Sequence, residues 1–232
     1  MSNRGMTERP VVRTRDPVRT RERILRNATT EFAAKGYDAG RVDAIARRSK
    51  VSKNMLYHYF SSKEGLFVAV LERMYERFRA NQQDLSIRIG DPEMAMRHLV
   101  AHTFNALLDH PEVIALLNAE NLQKGRHIQR SERIRDLYAP LVQTIADVLQ
   151  RGEQAGTFRS DIDPVTLYLS LSSLAYHYIS NQHTLKAAFG IDFTAPERQQ
   201  AWLAHITEMV VGFCRAEPAA RRRPVRSGRL AV

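Results

Sequence analysis

The sequence predicts an all-α protein: a small N-terminal bundle of three helices containing a helix-turn-helix, then a larger C-terminal helical domain. Three observations predict it. Apolar residues recur at three- and four-residue spacing along most of the chain. The pairs Asp16-Pro17, Asp91-Pro92 and Asp163-Pro164 each supply a capping acceptor followed by a residue preset for a first helical turn. No segment alternates apolar and polar residues as a half-buried strand does, or carries hairpin turn chemistry.

The elements follow in order. After Asp16 and Pro17, Ile24, Leu25, Ala28, Phe32 and Ala33 keep helical spacing until Gly36, which predicts the first helix. Val42, Ile45 and Ala46 mark a short second helix, residues 49–52 a turn, and Leu56 and Phe60 the inward face of a third. Helices this short cannot each bury a wide stripe, so they must pack on one another. Ser61 and Glu64 have capping-box spacing, and Leu66, Phe67, Val70, Leu71, Met74 and Phe78 run down one face of a long fourth helix. Further helices are expected over 92–109, 112–124, 131–155, 164–182 and 196–215, with Pro111 and Pro196 in first turns. The expected domains are a helix-turn-helix domain at 17–62 and a helical domain at 63–216, flanked by a flexible basic arm at 1–16 and a basic tail at 217–232.

A chain of 232 residues with 44% hydrophobic content can form two such units and hardly three. No apolar stretch approaches the roughly 20 residues of a membrane span, and the charged N-terminus lacks an apolar signal core, so a cytoplasmic protein is expected. The single cysteine, Cys214, excludes an intramolecular disulfide framework and a multi-thiolate metal site, and reads as a small core residue.

The net charge of +10 is unevenly placed. Residues 1–60 carry 14 Lys and Arg against 6 Asp and Glu, residues 61–216 carry 16 against 18, and residues 217–232 carry 5 against 1. Positive charge confined to the ends is the footprint of a polyanion binder, since cations near phosphates release condensed counterions.

Residues 42–60 have the form that docking in a DNA major groove demands: a short helix, a tight turn and a second helix beginning with polar side chains. Ser52 is the natural cap of that second helix. Lys53, Asn54 and Met55 then project from its first turn, where Lys can donate to guanine, Asn can pair with adenine and Met can touch a thymine methyl. Tyr57 and Tyr59 can donate to phosphates, and Lys63 stands at the start of the next helix.

From Ile24 to Val70 the chain resembles the N-terminal domain of the tetracycline-repressor (TetR) family of transcriptional regulators. The resemblance rests on Phe32, Gly36-Tyr37, Val42, Ile45-Ala46, Val51-Ser52-Lys53, Leu56-Tyr57, Tyr59-Phe60 and Ser62-Lys63-Glu64. It implies an all-helical homodimer with a helix-turn-helix in each chain, a C-terminal ligand cavity, and release from a palindromic operator when a small-molecule effector binds. It also assigns DNA contacts to Arg41, Lys53, Asn54, Met55, Tyr57, Tyr59 and Lys63. Two positions depart from the family pattern. Gly40-Arg41 stand where the second helix usually opens on Thr, and Lys50 occupies a turn position that usually holds Gly. If that residue is left-handed, the side chain costs about 1 kcal/mol. Farther on, Asp161-Ile162-Asp163-Pro164 and Ala175-Tyr176-His177-Tyr178 resemble the C-terminal part of the pyrimidine-utilisation repressors, a likeness that carries architecture and no ligand.

The segment 165–179 is apolar nearly all round, and Trp202, His205, Ile206, Met209, Val210 and Phe213 form a stripe on the last helix. These helices either pair with their copies in a second subunit, with Leu174, Trp202, Ile206 and Val210 in the interface, or complete the core of one chain. Asn118, Asn121, Tyr138, Ser172, Tyr176 and His177 are polar groups set among apolar helices, as an effector cavity requires, although each also reads as an ordinary satisfied residue.

Other functions find less support. His98 and His102 have metal-ligand spacing but no identifiable third ligand, so no metal site is expected. The chain holds no Gly-rich phosphate loop, nucleophile elbow, paired Cys or His-Glu-x-x-His, so no enzyme and no cofactor are expected. A non-specific nucleoid or RNA-binding protein is the remaining alternative, separated from a regulator by sequence-selective binding.

Overall fold

The computed structural model describes residues 16–80 and 90–216, so the expected arm (apart from Asp16) and tail lie outside the described residues. Among the described residues the α-helices are α1 (Pro17–Ala39), α2 (Val42–Arg48), α3 (Lys53–Phe60), α4 (Lys63–Ala80), α5 (Pro92–Asp109), α6 (Pro111–Leu122), α7 (Glu132–Gln154), α8 (Pro164–Phe189) and α9 (Pro196–Cys214). A 3-10 turn, Ile128–Arg130, precedes α7. The chain divides into two compact units between Val70 and Leu71, inside α4. That point lies beyond the boundary expected after residue 62, because Leu66, Phe67 and Val70 are fully buried and the Phe67 ring packs edge-on against Phe32 at 5.0 Å.

Each Asp-Pro pair opens a helix as expected. Asp16 Oδ1 accepts from the Val18 amide at 3.0 Å, Asp91 Oδ2 from Met94 at 2.9 Å and Asp163 Oδ2 from Thr166 at 2.7 Å. Gly36, with φ 73°, breaks the helical path of α1, and the chain turns once more before Gly40. A Cβ at Gly40 would lie 2.5 Å from the Phe32 ring, so the close approach of the chain to that ring requires glycine there. The core of this first unit is Ile24, Leu25, Ala28, Phe32, Ile45, Leu56 and Leu66, each at most 1% exposed.

The capping box expected at Ser61 and Glu64 is displaced by one residue. Ser61 adopts a left-handed φ of 62°, and Ser62 Oγ instead accepts from the Gly65 amide at 2.9 Å. Two adjacent serines offer the same acceptor, and the register follows the chain reversal after α3.

In the second unit α5 is central, packing against α6, α7, α8 and α9. Its inward face of Met96, Leu99, Val100, Phe104 and Leu107 is buried. The helix α8 continues to Phe189, seven residues beyond expectation, and stops at Gly190 in a left-handed C-cap with φ 66°. Its expected burial on every side does not occur within one chain, since Val165 and Leu169 remain 47% and 56% exposed. The loop after α6 is closed by a buried knot: Glu120 accepts from the His127 and Ile128 amides at 2.7 and 2.9 Å and lies 2.7 Å from His127 Nδ1. No helix among the described residues is long and apolar enough to cross a membrane.

Candidate functional site

The α2–turn–α3 segment is held by α1. Ser49, fully buried, accepts from Arg23 Nε on its carbonyl at 2.9 Å and from Asn27 Nδ2 on its hydroxyl at 3.0 Å. Lys50 follows with φ 51°, so the position that usually holds glycine is left-handed here and carries a side chain. Ser52 Oγ then accepts from the Met55 amide at 3.1 Å, capping α3 as its sequence position predicts. Leu56 and Phe60 point inward, at 0% and 6% exposure.

The remaining residues of α3 are displayed. Lys53, Asn54 and His58 are exposed, while Met55, Tyr57 and Tyr59 are half-buried. His58 was missed as a candidate, although its spacing of four from Asn54 sets both on one face. The ammonium of Lys53 lies 3.1 Å from Asp43 Oδ1 on α2, and this contact raises its pKa.

Arg41 and Lys63 stand at helix starts. Arg41 occupies the N-cap of α2 without making a side-chain cap, as expected from the missing Thr, and its amide donates to the buried Glu31 at 3.3 Å. The Glu31 carboxylate also accepts from Lys35 at 2.7 Å and Arg48 at 3.0 Å, and the Lys35 hydrogen bond leads in holding its pKa below the usual carboxylate range. Lys63 donates to the Asp38 carbonyl at 2.9 Å and sits 4.8 Å from the centre of the Tyr37 ring, so its ammonium is placed by its own chain.

A cavity of about 170 Å³ lies within the second unit. Tyr75, Phe78, Tyr138, Tyr168 and Tyr176 supply its aromatic wall, and none of its lining residues is charged. Of the six expected effector residues, Tyr138, Ser172 and Tyr176 line it, whereas Asn118, Asn121 and His177 do not. Asn118 acts one step removed, accepting from the Tyr176 hydroxyl and donating to Ser180 Oγ at 3.3 Å. Asn121 and His177 are exposed and outside the cavity lining, which helical spacing alone does not distinguish. Burial pushes the Tyr176 phenol pKa up.

The expected interface residues also separate. Ile206 and Val210 are 0% and 3% exposed within a single chain, so their side chains are already part of its own core. Leu174 and Trp202 are half-buried and meet each other, Trp202 Nε1 donating to the Leu174 carbonyl at 3.3 Å while its ring stacks on Tyr178. The large apolar side chains left outward on these helices are Val165, Leu169, Phe189, Met209 and Phe213. No group of three potential metal ligands occurs among the described residues, His98 and His102 included.

An exposed, serine-capped second helix held against a short first one, followed by a helical domain with its own cavity, defines a helix-turn-helix transcriptional regulator. The chain belongs to the TetR family. Residues 24–70 match the model for bacterial regulatory proteins of the tetR family, and residues 92–210 match the tetracyclin repressor-like C-terminal domain. The chain is 35% identical over 205 residues to the HTH-type transcriptional repressor NicS of Pseudomonas putida, spanning 88% of this chain and 97% of that protein. It is 31% identical over 144 residues to the HTH-type transcriptional repressor SCO4008 of Streptomyces coelicolor, spanning 60% of this chain and 69% of that one. Among solved structures, the transcriptional regulator FadR from Bacillus subtilis shares the fold with a TM-score of 0.62 at 15% identity, over 83% of this chain and 98% of that chain.

Proposed function

We propose that this regulator is a repressor: two chains bind the half-sites of a palindromic operator and leave it when a small molecule enters the C-terminal cavity. The observation that carries the DNA-reading half is the first turn of α3, where a Ser52 cap sets Lys53 and Asn54 outward beside half-buried Met55. Those residue types can donate to guanine, pair with adenine and touch a thymine methyl. Tyr57, Tyr59, Lys63 and Arg41 surround them and position the helix through phosphates. A relative matched over 97% of its own length is named a repressor, which supports the direction of control.

Dimerisation places the outward Val165, Leu169, Met209 and Phe213 against a second copy, a two-fold arrangement matching an operator palindrome. The cavity selects the effector class. Its volume of about 170 Å³ is close to that of apolar cavities of ~150 Å³ that admit benzene, and its lining is uncharged, with tyrosine hydroxyls and Ser172 as orienting groups. The part of the effector held there is a neutral group of about one ring. A likeness in fold alone joins this chain to FadR, whose structure contains stearoyl-CoA, so larger ligands have also been accommodated on this architecture.

Selection of bound duplexes from a random DNA pool tests the reading. The expected result is one enriched palindrome whose selection weakens on Asn54→Ala; recovery of no preferred sequence would leave only a non-specific polyanion binder.

A further inference from the structure

The geometry points to a second phosphate-binding surface on the first unit, a basic hollow of Lys35, Arg41, Arg47 and Arg48 that grips the DNA backbone outside the bases read by α3. It rests on the DNA-binding reading and adds to it three residues that neither the α3 motif nor the family resemblance assigned. These four cations, with Ala44, line a hollow of about 450 Å³ formed by α1 and α2.

Charge balance shows why the hollow attracts an anion. Glu31 is the carboxylate in contact with these cations, and it is 1% exposed with both oxygens engaged by Lys35 and Arg48. It offsets one positive charge of four. The guanidiniums of Arg41 and Arg47 make no hydrogen bond or ion pair with another described residue, and both residues are exposed. Uncompensated cations facing one hollow create a local positive potential that a structural ion-pair network would have cancelled.

Position makes the anion a DNA phosphate. Asp43 and Arg47 are four residues apart on α2 and share a side of the helix. Asp43 touches Lys53, the first residue of the reading helix, so Arg47 lies one turn along α2 from that contact. The hollow opens to solvent and has no buried polar side chain directed into it beyond the engaged Glu31, a form suited to a polymer backbone passing over it. The Arg47 side chain makes no hydrogen bond or ion pair with another described residue, whereas Lys35 and Arg48 hold Glu31, so Arg47 is the residue to change.

The test measures affinity of the full chain for the selected duplex and for an unrelated duplex across a salt series, with wild type, Arg47→Ala and Arg47→Glu. Thermal unfolding confirms that each variant folds. Arg47→Ala is expected to weaken both duplexes by the same factor, about five- to tenfold near 0.1 M salt, and to lower the slope of log affinity against log salt by about 0.9. Arg47→Glu is expected to weaken both further. Unchanged affinity and slope would overturn the proposal, and so would a loss confined to the selected duplex, which would make Arg47 a base reader. Inorganic pyrophosphate at matched ionic strength is expected not to compete; competition abolished by Arg47→Ala would reassign the hollow to a free anion. If selection yields no preferred duplex, the base-reading account fails while the salt slopes on unrelated DNA still decide the hollow.

Discussion

Lys53, the first residue of α3, holds its ammonium 3.1 Å from the Asp43 carboxylate on α2. Both side chains are half or more exposed, so the pair adds little stability, and its consequence is orientation. The same carboxylate places negative charge beside the residues proposed to read bases. Asp43→Asn should therefore raise affinity for unrelated duplex while lowering the ratio of selected to unrelated affinity, because Lys53 loses its fixed direction. Titrations with both duplexes at one salt concentration check this, and a rise in both affinity and ratio would contradict it.

Asn54 is exposed in the first turn after the Ser52 cap. Asn54→Ala should cost about 1 to 3 kcal/mol on the preferred half-site base pair and nothing comparable at other positions. Single-base variants of the selected duplex measure it. Uniform weakening across all variants would instead assign Asn54 to the backbone.

Lys50 is a non-glycine residue at φ 51° in the turn between α2 and α3. Lys50→Gly should stabilise the protein by about 1 kcal/mol, measured as a higher denaturant midpoint with unchanged slope. A lower midpoint would mean that the lysine side chain supplies stability exceeding its backbone strain.

At the far end of α9, Glu93 on α5 binds Arg215 at 2.6 Å and Arg97 at 3.0 Å. The Arg215 hydrogen bond leads in lowering the Glu93 pKa from 4.5 to about 2. A carboxylate whose pKa is depressed by folding contributes stability that is full above its unfolded value and disappears as pH falls through its folded value. The contribution is thus present above about 4.5 and lost toward 2. Glu93→Gln should lower the melting temperature at neutral pH and reduce its fall between those limits. An identical acid profile in the variant would show that this cluster does not govern it.

The sequence revealed most where the cause is local. Asp16, Asp91, Asp163 and Ser52 each bond amides two or three residues away, so cap and helix start could be read together. Local chemistry did not distinguish Ser61 from Ser62, since either supplies a hydroxyl, and the end of α8 at Gly190 was hidden by a helix-compatible run through Phe189. Nor could periodicity orient a helix with apolar residues on several sides. Ile206 and Val210 turn into their own core, and Met209 and Phe213 turn out. The cavity and the basic hollow depend on pairings such as Tyr75 with Tyr138 and Glu31 with Arg48, residues far apart in the chain.

The most direct measurement of the central claim is the ratio of affinities for the selected palindrome and for an unrelated duplex of equal length, at one physiological salt concentration. Sequence reading by α3 predicts that the palindrome binds at least about 10³ times more tightly and takes up two chains. Equal affinities for the two duplexes would contradict the account, leaving a cationic helical protein that holds DNA without reading it.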